Sequence, residues 1–127
     1  MHDTWWDPWA PDEHFRYWPG SIPLLISLPH VGTVIPDALQ ADMVERAGAV
    51  EDTDWHLEPL YAFARAMGAS MLVPRYSRYV IALSRAPENT PMYPGVNNTE
   101  LCPTRFFTGD PLYRSGCEPT PEQIAQR

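Results

Sequence analysis

Lysine is absent from this chain. All nine of its basic residues are arginine, and 16 Asp and Glu oppose them, for a formal charge of −7 over 127 residues. A chain this acidic is excluded as a general binder of phosphate backbones, although a local Arg cluster can still hold a small anion. Cysteine is nearly absent as well. Cys102 and Cys117 are too few for a secreted disulfide scaffold, and they have neither CxxC spacing nor a nearby His. They read as reduced thiols packed in a loop, with a disulfide pair or a metal site as the alternative. No apolar run approaches membrane-spanning length. The first 20 residues, MHDTWWDPWAPDEHFRYWPG, have neither a basic leader nor an apolar core, so no targeting signal is expected and the location is read as cytoplasmic.

What is present is apolar and aromatic. The hydrophobic share is 44% and the aromatic share 12%, enough to bury a core, while 15 prolines predict a loop-rich chain. Two parts are expected: a Pro-rich aromatic arm over residues 1–20, and one α/β domain over residues 21–127. In the arm, Trp5, Trp6, Trp9 and Trp18 are expected to cover a core edge or, alternatively, to stack on a ligand.

Residues 23–29 (PLLISLP) form a short apolar run between prolines, which predicts a central strand buried on both faces. A helix is expected over residues 37–49, weakened near its end by Gly48. A second should start near Leu57 or Glu58, because Pro59 fits a first turn, and should end at Gly68 as its C-cap. Its buried face would carry Leu57, Leu60, Tyr61, Ala64 and Met67. Strands are expected over residues 69–74 and, more strongly, 78–83 (RYVIAL). Strands separated by a helix argue for partly parallel pairing. Thr120 followed by Pro121 and Glu122 predicts a helix start so near the last residue that the chain is expected to stop inside an element.

Few residues can carry chemistry. His2 and His14 belong to the polar arm and are expected at the surface. His30 follows the 23–29 strand, where a side chain is delivered to the strand's C-terminal end. It reads as a ligand or catalytic group, or as a hydrogen-bonded core histidine. Asp52 and Asp54 can be a helix-start cluster, or one of them can join His30 on a metal such as zinc. Asp52 and His56, four apart, suit a hydrogen-bonded pair or, alternatively, two metal ligands. Arg75, Arg78 and Arg85 lie near strand ends, where two guanidinium groups would suit a dicarboxylate and single ones would be surface ion pairs.

Four runs in order carry a resemblance: PLLISLPHVGTVIP (23–36), DTDWHLEPLYAFA (52–64), YSRYVIALSR (76–85), and YPGVNNTELCPT (93–104) with FFTGDPLYRSG (106–116). Together they are similar to the N-terminal half of N-formylglutamate amidohydrolases. The resemblance implies a three-layer α/β/α fold with a mixed sheet, as in zinc carboxypeptidases, incomplete in this chain. It also implies zinc-dependent cleavage of N-formyl-L-glutamate, a small-molecule substrate, to formate and L-glutamate in histidine degradation. No nucleic-acid or membrane partner is implied.

On that pattern His30 matches a zinc ligand, Asp52 (with Asp54 in reserve) matches a carboxylate ligand, Arg85 holds a substrate carboxylate and Arg78 assists. Where the family reads Asp-Leu-Asn-Arg, this chain reads Ala82-Leu83-Ser84-Arg85, which loses an acid and an amide beside the substrate. A further His ligand and a general-base Glu are expected from the family's second half. On this reading the 127 residues alone are inactive and no catalytic base is identifiable in them. The alternatives are an amidase or deacylase for another N-acyl amino acid, or a non-catalytic remnant.

Overall fold

The computed structural model describes residues 7–89 and 100–127. Trp5, Trp6, His2 and residues 93–99 of the YPGVNNTELCPT run lie outside them. The elements in chain order are β1 (Phe15–Trp18), β2 (Leu25–Ser27), α1 (Asp37–Asp42), a 3₁₀ turn (Glu45–Ala49), α2 (Leu57–Leu60), α3 (Ala62–Ala66), β3 (Ser70–Pro74) and α4 (Pro121–Gln126).

The three strands form one mixed sheet in the order β1-β3-β2, with β3 antiparallel to β1 and parallel to β2. Residues of the aromatic arm therefore belong to the sheet. Phe15–Trp18 alternates in burial: Arg16 and Trp18 turn inward at 2% and 4% exposure, and Phe15 and Tyr17 turn outward. That period of two is what a strand with one covered face requires. Trp18 thus covers a core edge, as expected. Arg16 tolerates burial because its guanidinium donates to Pro8 O at 2.8 Å, pairs with Glu13 at 3.2 Å and lies over the Trp9 ring.

The 23–29 run is not the central strand. β2 is short and sits at the sheet edge, with Leu24 and Leu25 about half exposed. Prolines at 23 and 29 bracket it and restrict the ladder, since proline donates no hydrogen bond and suits edges. The centre belongs to β3, whose Met71 and Val73 are buried with Trp18, Leu28 and Val31. Leu57 and Tyr61 of the helical segment pack on this cluster.

The helix start at Leu57 matches expectation, and Gly68 closes the segment in a left-handed conformation (φ 100°) that suits glycine. The Gly68 N–H donates to Arg65 O and the Ala69 N–H to Ala64 O, a Schellman closure. The expected apolar face is only partly buried: Ala64 faces in, but Leu60 and Met67 are exposed. Tyr61 interrupts the segment between α2 and α3, and this rotates the covered stripe.

Two further expectations are corrected. The 37–49 helix breaks at Met43 and Val44, which turn extended to meet Leu112 and Tyr113; the Val44 N–H donates to Leu112 O at 3.0 Å. Burying Met43 completely outweighs continuing the helix. Residues 78–83 form turns rather than a strand. Half of the segment is buried without sheet pairing: Tyr79, Val80 and Ala82 face inward while Leu83 is exposed, and the Ala82 N–H donates to Leu101 O. Tyr79 joins a second core of Met43, Ala47, Val50, Phe106, Leu112 and Tyr113, built almost wholly from loops and turns.

Thr120 caps α4 with a reciprocal capping box to Gln123, and Pro121 occupies the first turn. Cys102 is buried, Cys117 is partly exposed, and both are free thiols. Among the described residues no helix is long and apolar enough to cross a membrane.

Candidate active site

The two cores meet where residues 31–34 run beside residues 75–77. Val34 bridges Tyr76 in parallel fashion, the Val34 N–H donates to Arg75 O, and the Ser77 N–H donates to Val34 O at 2.9 Å. Gly32 permits this approach. A Cβ there would lie 2.1 Å from the Tyr76 carbonyl oxygen, a backbone atom that cannot move aside cheaply. His30 precedes this contact by two residues and Arg78 follows it by two, so the same close approach sets both.

His30 is engaged at both ring nitrogens. Its Nε2 lies 3.0 Å from Ser84 Oγ, and its Nδ1 lies 3.5 Å from Asp54 Oδ2. The Asp54 N–H also donates to the His30 carbonyl at 2.9 Å, which ties the two backbones together. Burial holds the His30 pKa below its ordinary value, Arg78 lowers it further, Asp54 pulls it upward and Arg85 adds a smaller push down. The balance favours the neutral ring, which has a lone pair to offer.

Asp52 is committed elsewhere. Its Oδ2 accepts from the Tyr79 hydroxyl at 2.7 Å and from the Phe107 N–H at 3.1 Å. Burial, followed by this contact with Asp52, pushes the Tyr79 pKa well up, so the phenol remains a donor. The carboxylate beside His30 is Asp54, while Asp52 joins the loop core to the 106–107 turn. The expected Asp52–His56 pair does not form: His56 is exposed at the start of α2 with φ 64°.

Arg78 lies over the Phe107 ring at 4.5 Å, and its Nη1 approaches the Asp52 carbonyl at 3.4 Å. Burial lowers its pKa, and the charges of Asp54 and Asp52 oppose that shift. Arg85 acts electrostatically on both His30 and Arg78, so the two arginines expected to bind substrate share one field with the histidine. Arg75 is not part of this group; its Nη1 donates to the carbonyls of Ala10 and Glu13 and anchors the N-terminal residues. Exposed His14, as expected, is peripheral and lies 3.2 Å from the Tyr76 hydroxyl.

The His30–Asp54 pair has the donor chemistry of a zinc site. Two ligand atoms each about 2.0–2.1 Å from a tetrahedral zinc stand about 3.3 Å apart, close to the observed 3.5 Å. The pair fits as two ligands. A catalytic zinc takes three from protein, and among the described residues no group of three or more His, Cys, Asp or Glu is placed to hold an ion.

Comparison with known proteins places the chain in a family. The family model for N-formylglutamate amidohydrolase matches residues 22–127. The chain belongs to that family. It is 46% identical over 112 residues to the N-formylglutamate deformylase of Pseudomonas aeruginosa and 43% identical over 112 residues to that of Pseudomonas putida. Each match covers 88% of this chain but 42% of the relative, so the chain spans under half the length of these curated relatives. The fold is also that of the N-formylglutamate amidohydrolase from Ralstonia eutropha, with a TM-score of 0.59 at 22% identity, over 90% of this chain and 44% of that one.

Three site residues were not legible as such. Tyr79 reads as one apolar position in a strand-like run, Phe107 as one aromatic in a loop, and Ser84 as a substrate-side substitution. The only sequence signal was that all three sit inside the runs carrying the family resemblance.

Proposed function

We propose that the whole protein to which these residues belong is a zinc-dependent amidohydrolase that cleaves N-formyl-L-glutamate to formate and L-glutamate. The observation that carries this reading is His30 Nδ1 standing 3.5 Å from the Asp54 carboxylate, with Arg78 and Arg85 close enough to act on the same ring. The deformylase names of the Pseudomonas relatives supply the substrate.

In this reading His30 and Asp54 hold zinc together with ligands from beyond the described residues. Bound zinc supplies Lewis-acid polarisation of a carbonyl and brings the pKa of a water toward neutrality. Arg85, assisted by Arg78, pairs with the substrate carboxylates, and the Phe107 ring, 4.5 Å from the Arg78 guanidinium, helps hold it in place. Holding the carboxylates fixed places the formyl group and makes the attack effectively intramolecular. The complete domain has the three-layer α/β/α arrangement and works in histidine degradation in the cytoplasm. The described residues supply two metal ligands, and on this reading the 127-residue chain by itself is inactive.

The test is formate release from N-formyl-L-glutamate by the full-length protein with added zinc, against N-acetyl-L-glutamate and against His30→Ala. Formate release that needs zinc and His30 supports the reading; preference for the acetyl substrate sinks the formyl assignment. Turnover by the 127-residue chain at roughly 1–10³ per second, lost in His30→Ala, would show that these residues suffice.

A further inference from the structure

We infer that Ser84 is a positioning residue for the metal-binding histidine: its hydroxyl occupies the Nε2 side of the His30 ring, accepting a hydrogen bond from Nε2–H when a metal is bound, and so leaves Nδ1 as the nitrogen that faces Asp54 and the metal. This rests on the zinc reading above and deepens it, because neither the family match nor the relatives' names assigns Ser84 a role.

The argument begins with the two distances around one ring. Nε2 to Ser84 Oγ is 3.0 Å, an ordinary hydrogen bond. Nδ1 to Asp54 Oδ2 is 3.5 Å, at the limit of a hydrogen bond yet close to the chord between two ligands on one tetrahedral ion. A histidine that ligates through one nitrogen commonly gives its other N–H to an outer partner, which sets the tautomer and the ring angle. The two sides of the imidazole thus have different occupants, a hydroxyl at hydrogen-bond distance and a carboxylate at ligand-to-ligand distance.

The hydroxyl suits both states of the ring. A serine oxygen donates or accepts by rotating one bond. It can donate to Nε2 while Nδ1 carries the proton toward Asp54, and it can accept from Nε2–H once an ion takes the Nδ1 lone pair. Ser84 sits in a turn closed by the Arg85 N–H donating to Ala82 O at 3.0 Å, so its position is set by backbone. Ser84 is itself exposed, so removing its hydroxyl should leave the core intact.

The experiment is a titration of the metal-free full-length protein with zinc ion alone, read by ¹⁵N NMR of the histidine side chains. Zinc is expected to perturb Nδ1 of His30 while Nε2 keeps its proton. Ser84→Ala is expected to weaken zinc binding about 10–100-fold with an unchanged melting temperature, and Ser84→Thr, which keeps the hydroxyl, to restore it. Zinc on Nε2, or equal affinity in Ser84→Ala and the parent chain, overturns the role of Ser84 and leaves the His30–Asp54 reading standing. Zinc that leaves the His30 signals unmoved in the parent chain overturns the metal reading and this inference with it.

Discussion

The molecule contains two cores built on opposite principles. The sheet core has regular hydrogen bonding but is covered on one face by α2 and α3, while Phe15, Tyr17 and Leu25 stand exposed on the strands. The loop core has almost no regular backbone, yet Met43 and Leu112 in it are wholly buried and Tyr79 nearly so. Tyr79 meets Phe106 edge to face at 5.5 Å, and Arg46 lies over the outer face of Phe106, held there by Glu51 and Asp110. Closure of a core therefore follows from side chains that meet on every side, not from how much backbone is in ladders. The site lies on the seam: His30 comes from the end of the sheet, and Asp54, Arg78 and Phe107 come from the loop side.

The largest expected effect is on the loop core. Tyr79→Ala removes a buried ring and one of the two hydrogen bonds to Asp52 Oδ2, at a cost of about 3–5 kcal/mol by urea denaturation, a large part of the stability of a small domain. A cost near that of a surface substitution would show that the loop core is not the better-closed half. Next comes the seam. Gly32→Ala forces a Cβ against the Tyr76 carbonyl and should cost about 3 kcal/mol, the upper end of ordinary overpacking. Its diagnostic sign is a loss of the His30–Asp54 contact in ¹⁵N NMR spectra, beyond a lower melting temperature.

Tyr79→Phe keeps the ring and removes only the hydroxyl bonded to Asp52, so a smaller cost of about 1.5–3 kcal/mol is expected from a bond to a charged acceptor. The ratio of this value to the Ala value separates the share of packing from that of the hydrogen bond. Cys102 and Cys117 compare a buried with a half-exposed position in one loop region. Burial raises the Cys102 pKa above its unfolded value, so its contribution to stability is intact below about pH 8.5. That contribution is lost as pH rises from there through the raised folded value. Iodoacetamide at pH 8 should label Cys117 well before Cys102, and equal rates by peptide mass spectrometry would mean the region opens freely.

The smallest effect on stability belongs to the open face. Leu25→Lys should change the unfolding free energy by less than about 0.5 kcal/mol, while reducing binding of a hydrophobic dye and self-association.

Much of the local structure was legible because its causes lie within a few residues. Thr120, Pro121 and Gln123 specify a helix start by themselves, and Gly68 specifies a stop. Ser70–Pro74 has the β-branched and apolar character of a strand. Residues 78–83 misled because apolar alternation signals burial, and burial in a loop core leaves the same trace as burial in a sheet. The break at Met43 was hidden because its cause, the segment at Leu112 and Tyr113, is about seventy residues away.

The same division holds at the site. The sequence by itself determined the cast of His30, the Asp52–Asp54 run, Arg78 and Arg85, since these residue types sit within family-like runs. Only the tertiary structure decided their partners. Asp54 reaches His30 because a backbone hydrogen bond joins the two segments, and Asp52 is turned away by Tyr79 and Phe107. Ser84 reaches the far side of the ring from 54 residues away. A contact at that separation depends on the close approach that Gly32 permits between two segments, and chain spacing carries no record of it.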